Sequence, residues 1–298
     1  MVHRRTALSS NLWHDWCHEQ EIAVIKNLLG ILVAGTALTG AASAADLPRR
    51  AAPPPVFTPV PVFTWTGAYF GINAGYAYTE SDTIRTVGIG ALQNNVNNLL
   101  RSPAVRLPQD GFSAGGQVGY NYQFTAGSGI VVGIEADAQY MDLQRTGVQS
   151  IFRPAFNPNV LTNTYRTDLS FLGTVRGRVG YAFDRVFVYG TGGFAYGDVT
   201  QRVAFQTAAP LTYFGSRSRI DTGYAYGGGI EYALPTDSFL NFFRSNAVTI
   251  KAEYLRYDLG SHNLLVGSVG GPGVGYISRF RTEGAIARAG LNFKFGSY

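Results

Sequence analysis

The sequence predicts an all-β fold: an eight-stranded antiparallel transmembrane β-barrel with long extracellular loops and short periplasmic turns. Three observations support this prediction. The chain is poor in charge and rich in glycine, tyrosine and phenylalanine. Eight segments alternate apolar and polar residues with a period of two, which is the signature of strands. Each segment has roughly eleven to fifteen residues, whereas a membrane-crossing strand needs about nine to eleven and a globular strand averages about five or six.

The composition excludes several other classes of protein. Charged residues make up 14% of the chain, against roughly a quarter in an average soluble protein. Mean hydropathy is close to zero, which argues against a bundle of transmembrane helices. The many aromatic residues argue against disorder. Strands that show lipid on one face and water on the other would give this balance.

The eight segments follow one another along the second part of the chain. In the first, GAYFGINAGYAY, Phe70, Ile72 and Tyr76 fall on one face, and Asn73 falls on the other. The fifth segment is the least regular of the set. The segments are 67–78, 112–124, 130–141, 169–183, 186–197, 221–234, 247–257 and 284–295.

The gaps between the segments alternate in length, as expected for an outer-membrane barrel. The long gaps are 79–111, 142–168, 198–220 and 258–283. The short ones are 125–129, 184–185 and 235–246. Alternation alone also fits a soluble sandwich or a lipocalin-like barrel, but segment length and gap asymmetry together favour the membrane barrel. An even number of strands returns both termini to the periplasm.

The two faces of the strands predict what lies outside and inside the barrel. The apolar, aromatic face carries almost no charge, so we expect it to face lipid, and the opposite face to line the lumen. An eight-stranded barrel is just wide enough for side chains to fill it. We therefore expect an ion-pair network that plugs the lumen and leaves no large water-filled pore. Its members are Glu135, Asp137, Arg176, Arg178, Glu231, Lys251, Glu253, Arg288 and Lys294.

The N-terminal part divides into two segments that precede the barrel. Residues 1–44 are predicted to be an N-terminal extension and a cleaved signal peptide, because a short apolar run ends in Ala42-Ser43-Ala44. Residues 45–64 contain six prolines, which favour an extended periplasmic linker. The barrel is predicted to occupy residues 65–298.

Little in the sequence indicates catalysis or cofactor binding. Cys17 lies in the segment that is predicted to be removed. His262 is predicted to lie in the long loop 258–283, and the chain after residue 44 has no second histidine and no cysteine. A Ser/His/Asp site and a zinc site are therefore disfavoured. Glu135 and Asp137 would suit acid/base chemistry, but pairing with arginines is the stronger interpretation. We therefore expect no enzyme activity, cofactor or metal. We also expect no nucleic-acid partner, because the basic residues are scattered along the chain.

Four arginines flank the ends of the predicted loops and suggest contact with lipopolysaccharide. A guanidinium group binds phosphate oxygens well, although ordinary solvated loop charges explain the same positions. The four residues are Arg217, Arg219, Arg279 and Arg281.

Six stretches of the sequence resemble one family. They are WTGAYFGINAGYAY (65–78), SFLGTVRGRVGYAFDR (170–185), YGTGGFAYG (189–197), TGYAYGGGIEYAL (222–234), IKAEYLRYDLG (250–260) and ARAGLNFKF (287–295). In combination they are similar to the small, porin-like outer-membrane β-barrel proteins of alphaproteobacteria, which are related to the transmembrane domain of outer membrane protein A. The resemblance covers residues 65–298 and implies a barrel in the outer membrane of a Gram-negative cell.

The resemblance also implies partners and a role. The family ends in an aromatic residue that the barrel-assembly machinery recognises, which points to Phe293, Phe295 and Tyr298, with Tyr298 out of phase. Outer-membrane lipid and lipopolysaccharide would surround the barrel, and the loops would meet a host or surface ligand. The expected role is non-enzymatic, in envelope integrity and surface interaction. A narrow diffusion channel and a loop-mediated binder of a ligand such as haem are the alternatives.

Overall fold

The computed structural model describes residues 62–80, 83–207, 212–235, 238–270 and 274–296. The predicted signal peptide, most of the predicted linker and Tyr298 lie outside these ranges. Two short helical turns are described, a 3-10 helix at Gly90–Leu92 and α1 at Gln93–Asn97. The described residues contain no helix that is both long enough and apolar enough to span a membrane.

Strands make up most of the described chain. Two short strands, β2 (Thr83–Gly88) and β3 (Ala104–Arg106), lie in the connection that follows the first strand. The other strands are β1 (Gly67–Thr79), β4 (Asp110–Gln123), β5 (Ser128–Arg153), β6 (Asn157–Phe183), β7 (Val186–Gln206), β8 (Thr212–Ala233), β9 (Ala247–Ser268) and β10 (Gly275–Phe295).

Eight of the described strands form a closed antiparallel ring. Strand β1 pairs with β4, each strand from β4 to β9 pairs with the next, and β10 pairs with β1. At the seam Phe70 lies opposite Phe293 of β10 and, on its other side, opposite Val118 of β4. Closure matters in lipid because every backbone N–H and C=O must be paired there. The predicted eight-stranded antiparallel barrel is confirmed.

The outer surface of the ring is apolar at the middle of each strand. Ile72 is 63% exposed, whereas its neighbour Asn73 is 6% exposed and points inward. Val118 and Ile134 are exposed in the same way on β4 and β5. Aromatic side chains lie toward both ends of this band, which is the arrangement of a lipid-facing belt between two girdles.

The strands extend well beyond the predicted segments at one end of the barrel. Residues 142–168 were predicted to be a loop, but β5 and β6 continue to pair as far as Arg153 and Asn157, so the prediction of these boundaries was wrong. The same applies to much of 198–220 and 258–283. Beyond the lipid belt apolar residues lie on both faces of the strands while the backbone ladder continues. The apolar-outward, polar-inward alternation that predicts a strand is therefore lost before the strand ends.

The interior is filled in layers along the barrel axis. At the end where the chain enters, Phe63, Trp65 and Phe187 belong to one buried apolar cluster. The charged side chains lie above it. A second cluster follows, with Met141 and Leu172 among its members. A third fills the extended end of the barrel and consists of Ile84, Val96, Val105, Leu107, Tyr165, Val203, Phe205, Tyr213, Leu264, Val266, Tyr276 and Phe280.

Candidate functional site

The candidate site is the charged layer inside the lumen, built from inward positions of five strands. Because side chains alternate along a strand, Glu135 and Asp137 of β5 point the same way. Register then sets the neighbours: Glu135 lies opposite Arg176 of β6, and Glu253 of β9 lies opposite Arg288 of β10. Opposite charges directly across a strand pair stabilise the sheet.

Arg176 joins three carboxylates at the centre of this layer. Its Nη2 lies 2.7 Å from Glu135 Oε1 and 2.7 Å from Asp137 Oδ2, and its Nη1 lies 3.2 Å from Glu253 Oε1. All four side chains have no solvent exposure. Two acids on β5 are thereby linked to an acid on β9 across the lumen.

Arg178 and Lys251 extend the network toward β8. Arg178 Nη1 lies 3.3 Å from Glu135 Oε2, and its Nη2 lies 2.7 Å from Glu231 Oε2. Its guanidinium also lies 3.9 Å from the ring centroid of Tyr189, a cation–π contact. Lys251 Nζ donates to Glu135 Oε1 at 3.0 Å.

Arg288 closes the network on the β10 side. Its Nε donates to Glu253 Oε2 at 2.7 Å, and its Nη2 donates to Asp137 Oδ2 at 3.2 Å. Four acids and four bases therefore meet in one connected set, and the charges balance. The geometry brings together eight of the nine residues that were predicted from the sequence.

Lys294 is the ninth and stands apart. It is buried, but in the part of the chain that the structure describes no carboxylate lies within ion-pairing distance of its ammonium group. Its Nζ instead lies 5.8 Å from the ring centroid of Phe63. The reason is its height along the barrel axis. Lys294 points inward as Arg288 does, but it lies six residues farther along β10, beside the aromatic layer.

Neutral polar side chains complete the network, and the sequence analysis missed them. Tyr69 donates from its hydroxyl to Glu135 Oε2 at 2.8 Å, and Thr174 donates to Asp137 Oδ2 at 2.7 Å. Tyr189 donates to Glu253 Oε1 at 3.0 Å, and Asn292 donates to Glu231 Oε1 at 2.7 Å. Their positions on the inward face, next to charged residues, were the available signal. A neutral side chain, however, gives no indication in the sequence of which charged group it will bind.

All four carboxylates of this layer are engaged in ion pairs. Each accepts a hydrogen bond from at least one cation. Among the described residues no group of three or more His, Cys, Asp or Glu side chains could hold a metal ion. A buried ion-pair network with this many cross-links fixes the relative positions of the strands that contribute to it.

His262 lies outside this layer, and its predicted place in a loop was wrong. It belongs to β9 and pairs with Phe280 of β10. Its Nε2 lies 3.3 Å from Oδ2 of Asp221, a buried carboxylate that also receives both Nη groups of Arg217. Arg217 therefore has a partner within the barrel.

The two described residues of the predicted assembly signal lie on the outer face at the end of β10. Phe295 is 38% exposed and stacks on Phe70, with ring centroids 5.5 Å apart. Phe293 is only 6% exposed, because Phe243 from the β8–β9 connection packs against it with ring centroids 4.8 Å apart. An outward-facing residue is thus covered by another part of the same chain.

The chain is similar to known outer-membrane proteins. Over 255 residues it is 34% identical to the 31 kDa outer-membrane immunogenic protein of Brucella melitensis, covering 85% of this chain and 93% of that protein. It is 30% identical over 186 residues to the 22 kDa outer membrane protein of Rhizobium leguminosarum bv. viciae, covering 62% and 67%. A solved structure, Neisserial surface protein A, matches with 13% identity and a TM-score of 0.27, covering 77% of this chain and 98% of that one.

The family model matches almost the whole chain after its first residues. It is described as an outer membrane protein beta-barrel domain and covers residues 34–293. Together with the closed ring and the alphaproteobacterial relatives, this match also gives the cellular location, the outer membrane of a Gram-negative cell. The chain belongs to the outer membrane protein beta-barrel domain family.

Proposed function

We propose that this protein is a non-enzymatic surface barrel that contributes to envelope integrity and to interactions at the cell surface, and that its lumen is plugged by the ion-pair network. The observation that carries the proposal is the complete burial of the network. Arg176, Glu135 and Glu253 have no exposed side-chain surface although they lie in the middle of the lumen. Ions and solutes would have to break these pairs to pass.

The layers above and below the network support a closed lumen. Below it, the Trp65 backbone N–H donates to Gln123 Oε1 at 2.7 Å, and the indole donates to the Asp184 carbonyl at 2.9 Å, which fixes the ring across the barrel end. Above it, Met141, Leu172 and Tyr257 pack in an apolar cluster. An apolar layer is a barrier to ions because they would lose their hydration there.

The extended end of the barrel supports the surface role. Strands β5 and β6 pair far beyond the lipid belt, so their hairpin projects from the membrane. The Brucella melitensis relative is named an outer-membrane immunogenic protein, which is compatible with a barrel that is exposed at the cell surface. The projecting β5–β6 hairpin is the part of this chain that we propose to be exposed at the cell surface.

Lipopolysaccharide is the proposed partner of the outward-facing arginines. Arg279 and Arg85 lie directly opposite each other on β10 and β2, and both are exposed. Among the described residues neither has a carboxylate partner, and like charges so placed repel. Phosphate groups between them would relieve the repulsion.

Conductance in planar lipid bilayers tests the plugged lumen. The wild-type barrel is expected to show no steady conductance level of an open channel. Arg178→Ala with Glu231→Ala removes one buried pair without changing the net charge and is expected to raise conductance. The control is Arg166→Ala with Asp168→Ala, an exposed pair on β6 at 3.8 Å, which should behave as wild type. A steady wild-type conductance would instead establish the narrow channel.

Epitope accessibility tests the surface role. A short tag inserted at 154–156, in the β5–β6 turn, is expected to bind antibody on intact cells. The same tag at 125–127, in the β4–β5 turn at the other end of the barrel, should bind only after the outer membrane is permeabilised. The opposite pattern would contradict the proposed orientation. Haem titration of the wild type and of His262→Ala separately tests the ligand-binding alternative.

A further inference from the structure

We propose that the connection between β8 and β9 is a lipid anchor, which inserts phenylalanine side chains into the boundary between headgroups and acyl chains of the leaflet nearer the chain termini. The connection is described at 234–235 and 238–246, and the second of these stretches has the sequence SFLNFFRSN. Its partner is glycerophospholipid. The proposal depends on the membrane-spanning barrel and not on the surface role proposed above.

Three phenylalanines of the connection are exposed to an unusual degree. Phe239 is 85% exposed, Phe242 is 74% exposed and Phe243 is 58% exposed. Soluble surfaces rarely group large apolar side chains in this way, and such patches mark contact with a protein or a membrane. A segment with so much aromatic surface therefore requires a covering partner.

The connection is a built structure that holds these side chains in place. The Asn241 side chain donates to the Ser245 carbonyl at 2.8 Å and accepts from the Ser245 backbone N–H at 2.8 Å. The Asn246 N–H donates to the Lys294 carbonyl at 2.9 Å, which ties the end of the connection to β10. Arg244 has a φ of 49°, in the left-handed region, so the backbone turns sharply after Phe243.

The anchor is continuous with the lipid-facing belt of the barrel. The Phe243 ring lies 4.8 Å from that of Phe293 and 5.3 Å from that of Phe70, measured between centroids. Both partners are on the outward face, at the seam between β10 and β1. Phe243 therefore joins the belt to Phe242 and Phe239, and lipid that covers the belt reaches the connection.

Charge and composition specify the depth of the anchor. Arg244 is the only charged residue in 238–246, and it is exposed. A cation next to aromatic rings suits the interface, where the rings contact acyl chains and the guanidinium group meets lipid phosphates. Phenylalanine, leucine and arginine together are typical of segments that lie in the plane of the interface.

Depth-dependent fluorescence quenching tests the proposal. Phe242→Trp and Phe239→Trp are made separately in the full chain, and each barrel is refolded into phosphatidylcholine vesicles brominated either near the headgroup or near the chain end. The emission of the wild-type chain, to which its own tryptophans contribute, is subtracted. Both introduced indoles are expected to lose most of their emission in the vesicles brominated near the headgroup, and less in the others.

A matched control lies at the opposite end of the barrel. Phe156 in the β5–β6 turn is 58% exposed, as Phe243 is, but lies beyond the lipid belt. Phe156→Trp should show no bromine quenching. Heat-modifiable migration on gels must be retained by all three variants, which shows that each barrel has folded.

Two results would overturn the proposal. One is emission from Phe242→Trp and Phe239→Trp that is as insensitive to bromine as that of Phe156→Trp. The other is a blue-shifted emission without quenching that appears only at high protein-to-lipid ratio, because it would identify a second copy of the chain as the partner. Neither result would alter the bilayer conductance or the epitope accessibility that test the proposed function.

Discussion

Glu135 and Arg176 face each other across β5 and β6 with Nη2 and Oε1 2.7 Å apart, and neither side chain has any solvent exposure. The pair is the hub of the lumen, since Glu135 also binds Arg178 and Lys251, and Arg176 also binds Asp137. Removing one member therefore takes contacts from several partners and leaves the buried set with one uncompensated charge. The free energy of unfolding of the barrel is therefore expected to depend on all eight charged residues of the network.

Arg176→Ala is expected to destabilise the barrel strongly. The change removes a cation that contacts three buried carboxylates and leaves the set with one uncompensated negative charge. Breaking a buried pair from one side typically costs about 3–5 kcal/mol. Urea unfolding of the barrel in lipid vesicles, followed by tryptophan fluorescence, measures the loss. Arg166→Ala is the control on the same strand, because its partner Asp168 is 3.8 Å away and both side chains are partly exposed. Its cost should be at most about 1 kcal/mol.

Two adjacent glycines on β7 are expected to differ sharply in their tolerance of a methyl group. A Cβ at Gly193 would overlap the Val175 carbonyl and the Arg176 backbone, whereas a Cβ at Gly192 meets no atom nearer than 3.8 Å. Gly193→Ala should cost about 1–3 kcal/mol through overpacking. Gly192→Ala should be close to neutral in the same unfolding assay. Equal stability of the two variants would show that β7 shifts to make room.

The sequence was sufficient to predict the ring and its two faces. Ile72 and Asn73 are neighbours with opposite environments, and a period of two separates such residues without any knowledge of the partner strands. The same parity placed Glu135 and Arg176 on one inner surface. Alternation thus predicted which residues are inside, because it depends on the strand alone.

Pairing within the lumen could not be predicted in the same way. Which acid meets which base depends on the register between strands and on their stagger around the ring, and neither is encoded in a single strand. Lys294 illustrates this, since it has the correct parity but lies in the aromatic layer near Phe63. Buried residues beyond the lipid belt, such as Tyr165 and Phe205, were missed because apolar residues lie on both faces of the strands there.

Arg101 is expected to hold the β2–β3 region inside the extended end of the barrel. It is 1% exposed, donates to Asn163 and lies 5.1 Å from the ring centroid of Phe205. Arg101→Ala removes these contacts, so residues 83–107 should be cut sooner by trypsin or chymotrypsin while the heat-modifiable shift is retained. Arg106→Ala, an exposed substitution in β3, is the control and should leave the rate of cleavage outside position 106 unchanged.

Alkaline pH is expected to weaken this extended end of the barrel. Burial raises the pKa of Tyr165 above its ordinary value, so the folded state keeps the phenol protonated where the unfolded chain would ionise it. Stability from this group is therefore complete below the ordinary tyrosine pKa of about 10 and falls as the pH rises above it. Unfolding by urea at increasing pH should show this decline in stability. Tyr165→Phe should make the decline smaller, because position 165 then has no phenol to ionise. An unchanged alkaline slope in Tyr165→Phe would assign the effect to other tyrosines, of which Tyr213 also has a pKa raised by burial.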